Sequence, residues 1–424
     1  MNHASLKRDT RAFACEALVR CQRLAGFSED NGSIRRTFLS PPMRDCYREI
    51  TAWLEPLGAS VRVDAAGNLR ALYPAENPNA PCLLIGSHLD TVPNAGAYDG
   101  VLGVVLAVTL LQNLGGRRLP FAVEVVGFSE EEGVRFGVPF LGSRALVGRL
   151  DDELLAHCDQ HETSIRSVIE QFGLHAAEIP QAAIPDNVLG YLEFHIEQGP
   201  ALESAGLALA AVEAIAGQTR LELTFVGRAN HAGTTPMNLR YDAMAAAAEW
   251  ISTVERRAKR TSGLVATVGT ILVKPGATNV IAGETRLSLD VRHKADQIRN
   301  SAVGYFIRQA EDIARRRGLR ARCKVQLDQR AVPMDPFLVK QIDEAIASVG
   351  CEPHRMVSGA GHDAMILAEK IPCAMIFLRT PGGISHDPAE SVELEDVVKA
   401  IDCGSLLLDQ LASSPQFLSG TQRA

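Results

Sequence analysis

The chain has no CxxC pair. Its nine cysteines (15, 21, 46, 82, 158, 323, 351, 373 and 403) are scattered without regular spacing. An odd, irregular set excludes a disulfide framework and reads as reduced thiols in a cytoplasmic protein. Long apolar runs are also missing. The nearest, VLGVVLAVTLLQNL (101–114), falls short of the ~18–20 residues of a membrane helix and reads as a buried helix. The opening MNHASLKRDTRAF carries no apolar signal core. Excess positive charge is lacking: the net charge is −7, which argues against nucleic acid or anionic lipid as the main partner. There is no repeat, no GxSxG elbow, no GxxxxGK[ST] and no GxGxxG after a strand. HETSI (161–165) holds half of HExxH without the second histidine and reads as ordinary helical surface. GGIS (382–385) opens onto His386 rather than a helix, so it is no phosphate loop.

What is present is an ordinary globular composition. The 424 residues, 46% hydrophobic and 22% charged, suffice for two or three domains with proper cores. Residues 8–26 and 41–57 read as helices. SVRVDAAGNLRALYP reads as a strand pair, CLLIGS (82–87) as a buried strand, and DGVLGVVLAVTLLQNLG as a helix. FAVEVVGFS (121–129) and VLGYLEFHI (188–196) are further strands. Strands alternating with helices imply an α/β domain with a mostly parallel sheet.

The pattern changes near 213. RLELTFVGR (220–228) alternates with period two. Residues 240–260 read as an amphipathic helix, GLVATVGTILVKP (263–275) and TRLSLDVRH (285–293) as strands, 295–318 as a helix and RCKVQLDQR (322–330) as a last strand. That β-α-β-β-α-β order is the order of a ferredoxin-like module. The chain then alternates again, with helix 336–349, strand CAMIFL and helix 393–411. The expected organisation is a catalytic α/β domain of 1–212 and 331–424 with an inserted α+β domain of 213–330.

Polar residues gather where the apolar strands end. His88 follows CLLIGS, Glu130-Glu131-Glu132 follow VEVVGFS, His195 ends YLEF and His386 follows MIFLRTPGGIS. Ligands of open α/β sheets bind at the carboxyl ends of the strands. Taken singly, each has an ordinary explanation: a histidine after a strand faces solvent, and EEEG makes a solvated acidic turn. Jointly they differ, because like charges repel unless a cation sits among them. Three imidazoles, Asp99 and a glutamate suit Zn²⁺, Mn²⁺, Co²⁺ or Ni²⁺. They are too many for one tetrahedral ion and fit two ions sharing a carboxylate.

GSHLDTVPNAGAYDG, SEEEGVRF, EFHIEQGP, NHAGTTPM, SGAGHDA and GISHDPAE, in that order from about residue 20 to 410, resemble the two-metal amidohydrolases. Within them they resemble the branch of allantoate amidohydrolases, N-carbamoyl-L-amino-acid hydrolases and ureidopropionases. The resemblance implies that His88 and His195 bind one metal, Glu132 and His386 the other, and Asp99 both. It implies Glu131 as general base, although the triplet itself leaves Glu130 open. Two divalent cations lower the pKa of water toward neutrality, and a carboxylate beside them takes its proton and delivers it to the leaving nitrogen.

By the same resemblance Asp90 accepts a hydrogen bond from the His88 ring, His231 donates to a developing oxyanion, and Gln198, Asn279 and Arg292 contact substrate. Arg292 would grip a carboxylate bidentately, although by itself DVRHK reads as a solvated strand end. Gly361 and His362 line the same pocket, while Gly100 and Gly103 serve close packing. The insert would act as lid and homodimer contact, with ETRLSLDVR or LVATVGTIL offering a sheet edge. The implied reaction is hydrolysis of a linear ureido C–N bond in a carboxylate-bearing small molecule, with release of ammonia and carbon dioxide. Allantoate is the preferred substrate. N-carbamoyl-L-amino acids come next, then dipeptides or acylated amino acids. A metal-free binding protein on the same scaffold is disfavoured, because it has no chemical need for five ligands and a base.

Overall fold

The computed structural model describes residues 9–420. The chain forms two compact units, Met1–Glu213 with Met334–Ala424, and Ala214–Pro333.

The larger unit is a mixed α/β structure around one sheet. Its centre is four parallel strands in the order Ala122–Phe128, Cys82–His88, Val188–Ile196 and Cys373–Leu378. Antiparallel strands flank them. Leu69–Tyr73 and then Ser60–Val63 lie on one side, and Leu209–Ile215 on the other. Every residue of the four central strands is buried, as expected of near-continuous aliphatic runs covered on both faces. Helix Val101–Leu114 is apolar on all sides and almost wholly buried. A Cβ at Gly103 would lie 2.1 Å from the Phe194 carbonyl oxygen, so glycine there lets the helix approach the strand that carries His195. Within HETSI, residues 161–164 are not helical. Asp159 Oδ1 accepts the amides of His161 and Thr163, a local side-chain turn that competes with helix. The helix begins at Ile165 behind the N-cap Ser164.

The smaller unit is an antiparallel sheet in the order Ile271–Lys274, Glu284–His293, Gly217–Val226 and Arg320–Gln329, with Val265–Thr267 also pairing with Glu284–His293. Helices Ala243–Lys259 and Asp296–Arg316 cover one face. Leu221, Leu223, Phe225, Leu287, Leu289 and Val291 alternate inward and pack with Trp250 and Phe306. The strand read as continuous over 263–275 is broken into Val265–Thr267 and Ile271–Lys274. ETRLSLDVR does not form an edge. It is paired on both sides, because its alternating leucines and valine belong at the centre of the core. The edges are Ile271–Lys274 and Arg320–Gln329.

Candidate metal centre

The parallel ladder brings the polar strand ends together. His88 stands opposite Phe128 in one neighbour, and Gly86 opposite Glu193 in the other, which places His88 and His195 side by side at the same end. Their ring centroids are 5.6 Å apart. Each imidazole is oriented by a main-chain carbonyl: His88 Nδ1 lies 3.0 Å from the Asp90 oxygen, and His195 Nδ1 2.9 Å from the Ile196 oxygen. With Nδ1–H donated, Nε2 of each ring is left to face inward. The two Nε2 atoms are 3.4 Å apart. Asp99 Oδ1 is 3.2 Å from His195 Nε2 and 3.9 Å from His88 Nε2. Gly100 makes room for this: it has φ +66°, and a Cβ there would sit 2.3 Å from the His88 ring.

Asp99 divides its two oxygens. Oδ2 receives Gln198 Nε2 at 2.9 Å and lies 3.0 Å from His386 Nε2 and 3.1 Å from Ser385 Oγ. Oδ1 is buried with no hydrogen-bond partner despite the nearby imidazoles. A buried carboxylate oxygen beside two inward-facing nitrogens, none aligned to hydrogen-bond it, is a donor set that a cation satisfies. A second group of donors adjoins the first, since His386 Nε2 is also 3.3 Å from Glu132 Oε1. Donor atoms of His88, Asp99 and His195 lie within 4.8 Å of one another, as do those of Asp99, Glu132 and His386, and those of His88, Glu131 and Glu132. Asp99 belongs to both of the first two sets. The residues present therefore fit two divalent ions bridged by one carboxylate.

The electrostatics follow. Burial alone would push His88 down, but Asp90, Asp99 and Glu132 outweigh it and raise it to about 9. His195 is lowered, chiefly by burial and despite Asp99. His386, hydrogen-bonded to Asp99 and Glu132, is raised to about 10. Burial opposes ionisation of Asp99, yet His386, His195 and His88 hold it well below the usual carboxylate range.

The three glutamates of the triplet separate clearly. Glu130, at φ +51°, turns away from the cluster. Its Oε2 accepts the Phe38 amide at 3.1 Å, and its Oε1 accepts those of Arg135 and Phe136 at 2.8 and 3.3 Å. Glu130 is thus a brace. Glu131 and Glu132 face the histidines. Burial first, then Glu132, Asp363 and Asp90, push the Glu131 carboxyl well above its usual range, a field that cations in the cluster would reverse.

Asp90 accepts from the His88 ring as expected, but through its main chain. The carboxylate is 3.9 Å from that ring. Instead Asp90 Oδ1 and Oδ2 accept the amides of Glu131 and Glu132 at 3.0 and 3.1 Å. A short aspartate leaving the strand end reaches the neighbouring loop more readily than its own preceding ring.

Gln198 joins the cluster through Asp99. His362 is buried, its ring centroid 4.5 Å from that of His195, with Nε2 2.8 Å from Ser358 Oγ. Gly361 is exposed next to it. In the smaller unit His231 is exposed, its Nδ1 accepting the amides of Gly233 and Thr234. Asn279 lies beside it through its carbonyl, which accepts the Ala232 amide. Arg292 is not a solvated strand end: its Nε and Nη2 lie 2.9 and 3.0 Å from the two oxygens of Asp290.

Three supporting residues escaped the sequence reading. Buried Arg36 donates to the carbonyls of Leu24, Phe27 and Leu89, tying the first helix to the His88 loop. Glu193, two residues before His195 on the same strand face, receives Ser87 Oγ and the Ala364 amide. Glu390 receives the amides of Tyr98 and Asp99. For Glu193 a signal existed, since a carboxylate inside the apolar run GYLEFHI is anomalous.

The profile of Peptidase family M20/M25/M40 matches residues 84–410. The chain is 38% identical over 416 residues to allantoate deiminase 2 of Glycine max, covering 90% of this chain and 86% of that one. It is 39% identical over 372 residues to the N-carbamoyl-L-amino acid amidohydrolase of Geobacillus stearothermophilus, covering 87% and 91%. A solved structure of a hydantoinase/carbamoylase family amidase from Burkholderia multivorans superposes with a TM-score of 0.90 at 28% identity, over 95% of this chain and 98% of that one. The chain belongs to Peptidase family M20/M25/M40. It is a metal-binding hydrolase of the amidohydrolase kind.

Proposed function

We propose that the protein hydrolyses a linear ureido C–N bond in a carboxylate-bearing small molecule, with allantoate as first substrate. The observation that carries the reading is Asp99, shared between two sets of inward-facing donors with one buried oxygen unpartnered. In this reading His88, His195 and Asp99 hold one cation, and Asp99, Glu132 and His386 the other. Zinc or manganese is the first choice, cobalt or nickel the second. The cations supply Lewis acidity and lower the pKa of water.

The chain's own residues do the rest. Glu131, backed by its amide on Asp90, takes a proton from water as the water oxygen bonds to the ureido carbon. It gives that proton to the nitrogen as the C–N bond breaks, so ammonia leaves. The carbamate left behind loses carbon dioxide. His231 donates to the oxygen that gains charge. Arg292, its fork aligned by Asp290, binds the substrate carboxylate. Gln198, Asn279, Gly361 and His362 complete the substrate contacts. Allantoate stands first because relatives named for it match over most of the chain. N-carbamoyl-L-amino acids stand second because other relatives of similar identity carry that name.

The deciding assay is ammonia release from allantoate, ureidoglycolate, N-carbamoyl-amino acids and dipeptides, with Mn²⁺, Zn²⁺, Co²⁺ and Ni²⁺ in turn. Allantoate should be turned over fastest. A dipeptide ahead of every ureide would defeat the proposal.

The smaller unit is the lid and dimer contact in this reading. Val265, Ile271 and Leu272 are exposed along one sheet edge, which supports pairing of two copies there. A monomer in analytical ultracentrifugation at micromolar concentration would refute it. The nine cysteines are all free, which supports a cytoplasmic location. Among the described residues no helix is long and apolar enough to cross a membrane.

A further inference from the structure

We infer that Glu390 is a positioning residue for one cation of the pair, the one held by Asp99, Glu132 and His386, and that it acts through Asp99 and the His386 loop; this rests on the two-cation reading above. Glu390 is 5% exposed. Its Oε1 accepts the amides of Tyr98 at 2.9 Å and Asp99 at 3.0 Å. Its Oε2 lies 3.2 Å from Ser385 Oγ, and that hydroxyl is also 3.1 Å from Asp99 Oδ2. Glu390 therefore grips the Asp99 backbone, while Ser385 links the same two residues through their carboxylates.

The local chain is shaped for this. In HDPAE the Glu390 amide returns to the Asp387 carbonyl at 3.0 Å, and the Ala389 amide to Asp387 Oδ1 at 2.8 Å. The resulting turn folds Glu390 back toward the residue pair it holds. On the facing loop a Cβ at Gly96 would sit 2.4 Å from the Glu390 carboxyl oxygen, so only glycine lets the carboxylate reach the amides.

His386 needs such a clasp. It sits at φ +57°, unfavourable for a side chain, and its ring is 46% exposed. Neither backbone preference nor packing fixes it. His88 and His195, by contrast, are buried on strands held by ladder hydrogen bonds. Losing Glu390 should therefore loosen the Asp99–Glu132–His386 cation more than the other, which shares Asp99 but keeps two buried histidines. The expected weakening is about 10–100-fold, the usual effect of removing a group that supports metal ligands.

The test titrates metal-free protein with Co²⁺ and follows visible absorption and metal stoichiometry, with the melting temperature of the metal-free forms as control. Wild type should take two ions. Glu390→Ala should take the first ion within a few-fold of wild-type affinity and the second about 10–100-fold more weakly. Glu390→Gln keeps an oxygen for the two amides, so it should lose less, and so should Ser385→Ala. Wild-type binding of both ions by Glu390→Ala, or equal weakening of both, overturns the inference while leaving the two-cation reading intact. A wild-type chain that takes one ion overturns the reading and the inference with it. Should Glu390→Ala fail to fold, Glu390→Gln and Ser385→Ala decide, and unchanged second-ion affinity in both is a refutation.

Discussion

Changing Glu131 and Glu130 separately to glutamine should produce opposite defects, although the residues are adjacent and chemically identical. Glu131 faces the donor cluster and makes no brace through its side chain. Glutamine there is nearly isosteric, keeps the backbone N–H hydrogen bond to Asp90, and removes only the ability to take a proton. The expected loss is roughly 10²–10⁴-fold in kcat, or about 2.7–5.5 kcal/mol of transition-state stabilisation. Melting temperature and metal content should stay unchanged. Glu130 accepts three backbone amides, two on one oxygen and one on the other. Glutamine can satisfy the pair from Arg135 and Phe136, but its NH₂ then confronts the Phe38 amide. One buried N–H goes unpaired, at a cost of about 1–3 kcal/mol. Glu130→Gln should thus melt several degrees lower and retain kcat within a few-fold once folded and loaded. Calorimetry and steady-state ammonia release on the same preparations read both quantities. A dead, normally stable Glu130→Gln beside an active Glu131→Gln would show the roles reversed and sink the argument.

Three further outcomes follow from the same geometry. Gly100→Ala should lose metal about as completely as a ligand substitution, because its Cβ would fall 2.3 Å from the His88 ring at a positive φ; unchanged metal content by elemental analysis would contradict this. Arg292→Ala should abolish the preference for a carboxylate substrate over its amide analogue, with Arg292→Lys between the two because ammonium lacks the planar fork; a preference that survives the alanine means another residue reads the carboxylate. Metal loading near neutral pH should release protons, because His88 and His386 are raised to about 9 and about 10 and must give up a proton to become ligands. The sign is that of raised histidines: their stabilising charge in the metal-free protein is present below the ordinary imidazole pKa and is lost as pH rises through 9–10, so apparent metal affinity should climb with pH across that window. Calorimetric titration in buffers of different ionisation enthalpy measures the released protons, and a count of zero at pH 7 refutes the assignment.

The parallel sheet was legible because its strands are continuous aliphatic runs bounded by turn-rich polar loops. The smaller unit was legible from its period-two strands and helical stretches. What periodicity does not carry is pairing order. ETRLSLDVR alternates as any half-covered strand does, and only the register with Gly217–Val226 and Ile271–Lys274 makes it central. The same limit hid the braces. Arg36 and Glu390 act across 53 and 291 positions of chain, and nothing local distinguishes them from surface charges. The resemblance implied that Asp90 accepts from His88, but not that its carboxylate serves the neighbouring strand's loop. The bond that sets Glu130 apart from Glu131, from the Phe38 amide, likewise comes from a distant segment.

The central claim is that Asp99 bridges two cations, and diffraction from manganese-loaded crystals at the metal absorption edge tests it most directly. The account predicts two anomalous peaks ~3.5–4 Å apart, one against His88 and His195, the other against Glu132 and His386, with Asp99 between them. A single peak in crystals of fully active protein would contradict it.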